Sequence, residues 1–399
     1  MGRSAAAWLC LAAALLGGAA ALAIGRGAGW FDRSTRTVIV EHPAGSALAP
    51  VVAAASPSAK NFEPAQIYRL RSPGVVTILS YFDAPDTATS AGQGSGFVVA
   101  SSGEILTSAH VVTTAGQSGS AKIRPARNLY VEFSDADRVP AKLVGYDLYD
   151  DVAVLRVDPK AHKLTPLPLG DSSTVVVGAP VAVIGSPFGD VNSLSVGVVS
   201  AIGRSIPSLT SQYDLVDVIQ TDASINHGNS GGPLFNAAGQ AIGINAQIRS
   251  NGTAGGFEGV GFAVPINAAK RSLHDLVATG EVRYAYLGIQ TEDLTPTLAK
   301  TYGYAAMHGA LVDGVTPNGP GAKAGIRGGT STKVFNGDDV TVGGDAIVSI
   351  NGIPIRTSED VVRIITEQLE PGEAAKFTLV HGSSRRTVSV VLGARAVLG

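Results

Sequence analysis

A serine flanked by small residues forms the most reactive pattern in the sequence. The stretch TDASINHGNSGGPL, residues 221–234, carries Ser230 with Gly228 before it and Gly231 after it. Glycine adopts positive φ angles and lets a substrate carbonyl approach the backbone closely. The N–H groups of Gly228 and Ser230 could therefore form an oxyanion hole beside a serine nucleophile. An ordinary glycine-rich turn has the same composition, so the interpretation requires a base and an acid elsewhere in the chain.

Among the seven histidines, His110 is the best candidate for the base. It ends an apolar strand-like run, ILTSAHVV at residues 105–112, whereas the other histidines fall in the linker, on a helix or in polar loops and turns. A rigid strand end can hold an imidazole against a serine. The alternative is a buried histidine whose ring is satisfied by the backbone.

The acid that orients this base should be shielded and close to the start of a strand. Asp151 directly precedes the apolar run VAVL, and Asp150 and Asp147 are the alternatives. The residues alone do not separate Asp150 from Asp151. The chain order histidine, aspartate, serine is that of chymotrypsin-like proteases rather than of subtilisin or the α/β-hydrolases.

These residues lie in a region of short strands separated by turns. The 49 glycines and many Val/Ile-rich runs predict a mostly β protein, with about ten strands between residues 74 and 266 forming a barrel or sandwich. Asn267 is the predicted N-cap of a closing helix and Gly280 its C-terminal stop. From Tyr284 a second module follows, with a helix predicted to be capped by Ser358 and a final hairpin.

Composition excludes several classes of protein. The net charge is −2 with dispersed Lys and Arg, which argues against a nucleic-acid partner. The single cysteine, Cys10, cannot form an intrachain disulfide or a cysteine-based metal cluster. We expect no metal and no cofactor.

The N-terminus carries an apolar run from residue 5 to residue 24, flanked by Arg3 and Arg26. Its length is just enough to span a bilayer as a helix, which predicts a transmembrane anchor within residues 1–27. The sequence Ala-Leu-Ala at residues 21–23 also fits a signal-peptide cleavage site, so secretion after cleavage is the alternative. Residues 28–62, rich in Ala, Ser and Pro, are predicted to be a flexible linker.

Several motifs then occur in one order: GSGFVV, ILTSAHVV, DDVAVLRV, IGSPFG, TDASINHGNSGGPL, AIGIN and GVGFAVPIN. Together they resemble the HtrA/Deg family of serine proteases, of the membrane-anchored type. The resemblance implies a mostly β fold: a chymotrypsin-like double β-barrel protease domain over residues 63–281 and a PDZ domain over 284–395. It also implies that His110 is the general base, Asp151 its orienting acid and Ser230 the nucleophile, with the N–H groups of Gly228 and Ser230 in the oxyanion hole.

Two departures from the family pattern are visible. His227 stands where the family usually has proline, so the loop before the oxyanion hole lacks a fixed φ. Residues 328–344 form an insertion where many members have a short turn.

The expected substrate pocket is uncharged. Ser224 lies where chymotrypsin-like folds often place the pocket floor, and the following strand supplies Ile244, Asn245 and Ala246. Because no carboxylate is present there, we expect a small or medium apolar residue before the cleaved bond.

In the PDZ domain, we expect Tyr286, Leu287, Gly288 and Ile289 to bind the C-terminal carboxylate of a peptide, with Val361 and Ile365 lining the groove. The expected substrates are unfolded or misfolded proteins of the cell envelope. The N-terminal apolar segment predicts that both domains lie on the extracytoplasmic side, and the resemblance implies a homotrimer. The competing hypothesis is a membrane-tethered PDZ adaptor or chaperone that binds unfolded chains without needing proteolysis.

Overall fold

The computed structural model describes residues 62–82, 91–115, 123–186, 192–211, 213–226, 228–248 and 259–395. The predicted anchor or signal segment, the predicted linker up to residue 61, and His227 lie outside the described residues. None of the helices within these ranges is long and apolar enough to cross a membrane.

The first half of the protease region is a closed six-stranded antiparallel barrel with the strand order β1-β2-β3-β6-β5-β4. Its strands are β1 Val75–Tyr81, β2 Ala91–Val98, β3 Glu104–Thr107, β4 Asn128–Glu132, β5 Arg138–Asp147 and β6 Val152–Val157.

The second half is another closed barrel, with the order β10-β11-β12-β9-β8-β7. Its strands are β7 Pro180–Gly185, β8 Ser193–Pro207, β9 Asp214–Thr221, β10 Pro233–Phe235, β11 Ala241–Ile248 and β12 Gly261–Pro265. Two six-stranded barrels in succession confirm the expected chymotrypsin-like double barrel.

Apolar side chains hold the two barrels together as well as filling each of them. Phe97 and Leu106 of the first barrel share one buried cluster with Ile184, Phe235 and Ile244 of the second. Strands buried on both faces lose the alternation of apolar and polar residues, which explains runs such as VAVL. The core between the barrels thus fixes the loops that meet at their junction.

Among the described residues, three α-helices accompany the barrels: α1 Pro64–Arg71, α2 Ala109–Val112 and α3 Ile266–Thr279. Helix α3 ends at Gly280 with φ 79°, so the predicted glycine stop is confirmed. The predicted N-cap at Asn267 is wrong, because Pro265 occupies that position. The Asn267 side chain instead donates to Asp171 (2.7 Å), beside the 3₁₀ turn Ser172–Thr174.

The second module contains a sheet of order β14-β15-β18-β20-β21, with β19 paired to β18. The helix Ser358–Gln368, labelled α6, packs on its core through Val361, Ile364 and Ile365. The strands are β13 Ala285–Tyr286, β14 Ile289–Leu294, β15 Gly309–Val315, β16 Ser331–Phe335, β17 Asp338–Val342, β18 Ala346–Ile350, β19 Ile353–Pro354, β20 Ala374–His381, β21 Ser384–Val391 and β22 Gly393–Ala394; the helices are α4 Pro296–Tyr302, α5 Pro320–Lys323 and α6 Ser358–Gln368.

Two features of this module refine the sequence analysis. The insertion at residues 328–344 is a separate hairpin in which β16 pairs with β17. Helix α6 is capped by Thr357 rather than by Ser358, because Thr357 and Asp360 exchange the two hydrogen bonds of a capping box. The predicted cap is therefore wrong by one residue.

Candidate active site

Strand pairing brings the predicted histidine and aspartate to one end of the first barrel. Thr107, the last residue of β3, pairs with Ala153 of β6 and with Gly96 of β2. His110 follows β3 on the short helix α2, and Asp151 immediately precedes β6. Because β3 and β6 are antiparallel neighbours, the C-terminal end of β3 lies beside the N-terminal end of β6.

Asp151 contacts His110 through both of its carboxylate oxygens. Oδ2 lies 2.7 Å from His110 Nδ1, and Oδ1 accepts the backbone N–H of His110 at 2.9 Å. The Asp151 side chain is only 1% exposed. This arrangement holds the imidazole in one orientation and favours a proton on Nδ1, which leaves Nε2 as the acceptor.

The surroundings shift the basicity of the imidazole. Burial of the ring favours its neutral form, but the charge of Asp151 and its hydrogen bond favour the protonated form more strongly. The pKa of His110 is therefore raised above its ordinary value. A base whose pKa lies nearer neutrality accepts a proton readily at working pH.

The neighbouring carboxylates have other partners. Asp150 Oδ2 pairs with Arg271 at 2.6 Å, and Asp147 Oδ2 accepts the Tyr284 hydroxyl at 2.5 Å. Asp151 has a φ of 52°, in the left-handed region that aspartate tolerates better than most residues. This turn separates the Asp151 side chain from that of Asp150.

The loop between β9 and β10 presents Ser230. Gly228 and Gly231 have φ angles of 102° and 84°, which favour glycine. A Cβ added at Gly231 would lie 2.2 Å from the Ser95 carbonyl oxygen, so no larger residue fits there. Within the described residues, no protein acceptor is paired with the N–H of Gly228 or of Ser230. Both N–H groups are thus free to bind a substrate oxygen.

The Ser230 hydroxyl donates to the carbonyl oxygen of Ala246 at 3.2 Å. In the described residues it forms no hydrogen bond to His110. Serine hydroxyls often align with their base only when substrate is bound. The structure therefore shows a histidine–aspartate pair, and a nearby serine whose hydroxyl has another acceptor at rest.

The residues predicted to form the substrate pocket have different environments. Ser224 is exposed and its carbonyl oxygen accepts the Asn229 side chain at 3.3 Å. Ile244 is fully buried in the core between the barrels, and Asn245 is also fully buried. These two side chains present no open surface to a ligand, so their burial does not support a pocket role. The Ala246 side chain is also buried, and its carbonyl oxygen accepts the Ser230 hydroxyl.

The predicted PDZ groove corresponds to a cavity of about 460 Å³ lined by residues 286–291 and by Val361 and Ile365 of α6. Strand β14 is an edge of its sheet, and no strand among the described residues pairs with its outer side, which could accept an added strand. Within the described part of the chain, the N–H groups of Leu287 and Gly288 have no protein acceptor. These N–H groups could bind a terminal carboxylate.

Some residues of this cavity were not predicted from the sequence, and those most distant in the chain are Ser205, Tyr213, Asp214 and Val216. They belong to the protease region, on β8, on β9 and just before β9. No sequence motif marks them, because they join the PDZ residues only through tertiary packing.

Comparison with known proteins agrees with this architecture. Residues 94–244 match the trypsin-like peptidase domain, and residues 285–392 match the PDZ domain. The "Probable periplasmic serine endoprotease DegP-like" of Pseudomonas putida is 40% identical over 301 residues, which is 75% of this chain and 56% of that protein. The chain thus spans little more than half the length of this curated relative.

Two further proteins match this chain over a larger part of their own length than the Pseudomonas putida protein does. "Protease Do-like 1, chloroplastic" of Arabidopsis thaliana is 37% identical over 333 residues, covering 82% of this chain and 71% of that protein. The solved structure "HtrA-type protease AlgW with tripeptide" has a TM-score of 0.68 and 29% identity, and the match covers 84% of this chain and 98% of that chain.

Proposed function

This chain belongs to the HtrA/Deg family of serine proteases, and we propose that it is a serine endopeptidase whose catalytic residues are His110, Asp151 and Ser230. The observation that carries the proposal is the double contact of Asp151 with His110, at the barrel end where the glycine-lined loop presents Ser230. A pure binding protein has no need for an oriented imidazole beside a serine and two N–H groups that have no acceptor among the described residues.

In the proposed reaction the Ser230 hydroxyl exchanges its hydrogen bond to Ala246 for one to His110 Nε2. His110 then accepts the proton as Oγ attacks the peptide carbonyl, and returns it to the leaving amine. Asp151 stabilises the imidazolium that forms. The N–H groups of Gly228 and Ser230 bind the oxyanion of both the acylation and the deacylation steps.

The proposed substrates are unfolded or misfolded proteins. An endopeptidase needs an extended segment to enter its site, and unfolded chains supply such segments. Ser224 and the backbone at Ala246 remain the proposed walls of an uncharged pocket, so the residue before the cleaved bond is expected to be small or medium and apolar.

The PDZ domain is proposed to bind the C-terminal residues of peptides or unfolded chains and to regulate the protease. The open edge of β14 would pair with the peptide, and the free N–H groups of Leu287 and Gly288 would bind its carboxylate. Tyr286, Ile289, Val361 and Ile365 would contact the last side chains.

We propose that both domains act outside the cytoplasm, in protein quality control or stress signalling. The relative from Pseudomonas putida is named periplasmic. Whether residues 5–24 remain as a membrane anchor or are removed as a signal segment, and whether the chain forms a homotrimer, stay predictions from the sequence.

Cleavage of labelled casein by the wild-type protein and by Ser230→Ala tests the proposal. We expect the variant to lose nearly all activity, by about 10⁴-fold or more, because the triad acts as a unit. Equal rates in the two proteins, after removal of contaminating proteases, would instead support the tethered adaptor or chaperone. A casein-binding measurement on Ser230→Ala checks that the variant still recognises unfolded chains.

A further inference from the structure

Ser95, on strand β2, contacts the nucleophile loop on both sides of Asn229. Its Oγ lies 2.6 Å from the carbonyl oxygen of Gly228, and its backbone N–H donates to the carbonyl oxygen of Ser230 at 2.8 Å. Gly228 and Ser230 are the two residues whose N–H groups are the proposed oxyanion donors. A single residue of the first barrel thus holds both of them.

The direction of the Ser95 hydroxyl follows from its partners. The backbone N–H of Ser186 donates to Ser95 Oγ at 2.9 Å, and the Gly228 carbonyl oxygen can only accept. The hydroxyl proton must therefore point at Gly228. Ser95 is fully buried, so water does not compete for this hydrogen bond.

The surroundings of Ser95 leave it no freedom to move. Thr107 Oγ1 donates to the Ser95 carbonyl oxygen at 2.7 Å. A Cβ added at Gly232 would lie 3.1 Å from Ser95 Cβ, and one added at Gly185 would lie 3.0 Å from Ser95 Oγ. Glycines at these positions permit the close approach, and the resulting packing fixes the side chain.

We propose that Ser95 is a positioning residue for the oxyanion hole. Its hydroxyl and its N–H anchor the carbonyl groups of Gly228 and Ser230, each of which belongs to the peptide plane that follows the donor residue. Fixing these planes limits backbone rotation at Gly228 and Ser230, and so limits how far the N–H groups of those two residues can turn away from the substrate oxygen. Gly228 needs such an anchor because glycine at a φ of 102° has few steric limits of its own. Donors that are already oriented stabilise the transition state without reorganisation.

This inference rests on the proposed protease function, and Ser95→Ala tests it in the full chain. We expect kcat on a fluorogenic peptide to fall about tenfold, less than the ~10²–10³ lost when a donor itself is removed. KM should stay within about twofold, because the ground-state carbonyl gains little from the oxyanion hole. Affinity for a peptide boronate should fall by the same factor as kcat/KM, since the boronate mimics the tetrahedral intermediate.

Ser80→Ala is the matched control. Ser80 is also a fully buried serine on an adjacent strand, β1, but its hydroxyl has no hydrogen-bond partner among the described residues. The Ser80→Ala variant should therefore have the same kcat, KM and boronate affinity as the wild type. The final extent of fluorophosphonate labelling should equal that of the wild type in both variants, which separates slower turnover from a loss of folded sites.

If Ser95→Ala does not fold, Ser95→Cys retains a donor at this position, although a weaker one on a larger atom, and it should still lower kcat with KM unchanged. A folded Ser95 variant with kcat and boronate affinity within about twofold of the wild type would overturn the inference, as would a loss confined to KM. Failure of the proposed function looks different: the wild type itself would show no activity that depends on Ser230.

Discussion

Asp150 and Asp151 are adjacent in the chain, yet Asp150 pairs with Arg271 at 2.6 Å and Asp151 lies 2.7 Å from His110 Nδ1. The positive φ of Asp151 turns the backbone between them. The Asp151 carboxylate is therefore available to orient the imidazole, and the Asp150 carboxylate joins the protease barrel to helix α3.

This relationship predicts unequal effects of two amide substitutions. Asp151→Asn should lower kcat by about 10⁴-fold, because the amide favours the wrong imidazole tautomer. Asp150→Asn should lower kcat by less than about tenfold, since its side chain does not touch His110. Steady-state kinetics on casein or a fluorogenic peptide measures both. A larger loss of kcat in Asp150→Asn than in Asp151→Asn would instead identify Asp150 as the acid that orients His110.

The pH dependence of activity should report the His110 pKa. Burial lowers this pKa, but the charge and hydrogen bond of Asp151 outweigh burial and raise it above 6.5. Because the base must be neutral, kcat/KM should fall as the pH drops through a midpoint above 6.5. A midpoint below 6.5, measured with substrate well under KM, would contradict the assignment.

Arg271 should contribute strongly to stability. Its guanidinium pairs with Asp150 and donates to the carbonyl oxygen of Thr366 at 2.5 Å, so it bonds residues of both domains. Arg271→Ala leaves Asp150 without its cation, at a cost below the ~3–5 kcal/mol of a fully buried pair. Arg138→Ala, which breaks an exposed pair with Glu132, should cost under about 1 kcal/mol. Thermal unfolding measures the loss of stability in both variants, and equal losses would contradict this prediction.

Asp147 should make stability depend on pH in an unusual direction. Burial and the charge of Asp150 raise its pKa to about 6, against the hydrogen bonds from Tyr284 and Ser272. A raised carboxyl pKa contributes stability that is complete below the unfolded value and is lost as the pH rises through 6. The Tm of Asp147→Asn relative to the wild type should therefore be higher at pH 7.5 than at pH 4.5.

An exposed aspartate provides the comparison for this experiment. Asp158→Asn should show no such rise between the two pH values, because Asp158 is exposed and its carboxylate accepts the nearby backbone N–H of Lys160 at 2.9 Å. A Tm difference for Asp147→Asn that stays constant or falls with rising pH would show that Asp147 is not held in its protonated form.

The sequence predicted the architecture well because strand runs and glycine turns are local signals. It could not separate Asp150 from Asp151, since both precede the same buried strand and only the backbone turn distinguishes them. Ile244 was expected in the pocket because it lies on the strand that follows the nucleophile loop, and its burial is evident only from the packing of the two barrels. Ser95 occurs in a motif, but its role depends on contacts 133 residues away in the chain.

The PDZ groove should require a free carboxylate on its ligand. The N–H groups of Leu287 and Gly288 have no acceptor among the described residues, and β14 is an open edge. A fluorescent peptide with an apolar C-terminus should therefore bind the full chain, and its C-terminal amide should bind at least about tenfold more weakly, because the amide cannot supply the charge. Fluorescence anisotropy measures both, and equal affinities would reject the carboxylate site.

Two glycine substitutions localise this binding. Gly288 and Gly303 have nearly equal φ angles of 74° and 76°, so alanine strains the backbone similarly at both. Only at Gly288 does the added Cβ meet a side chain, the ring of Tyr286 at 3.2 Å, whereas the space at Gly303 is open. Gly288→Ala should therefore weaken peptide binding while Gly303→Ala leaves it unchanged, and both should retain the wild-type extent of fluorophosphonate labelling at Ser230. Equal peptide affinity in the two variants would place the carboxylate site elsewhere on the domain.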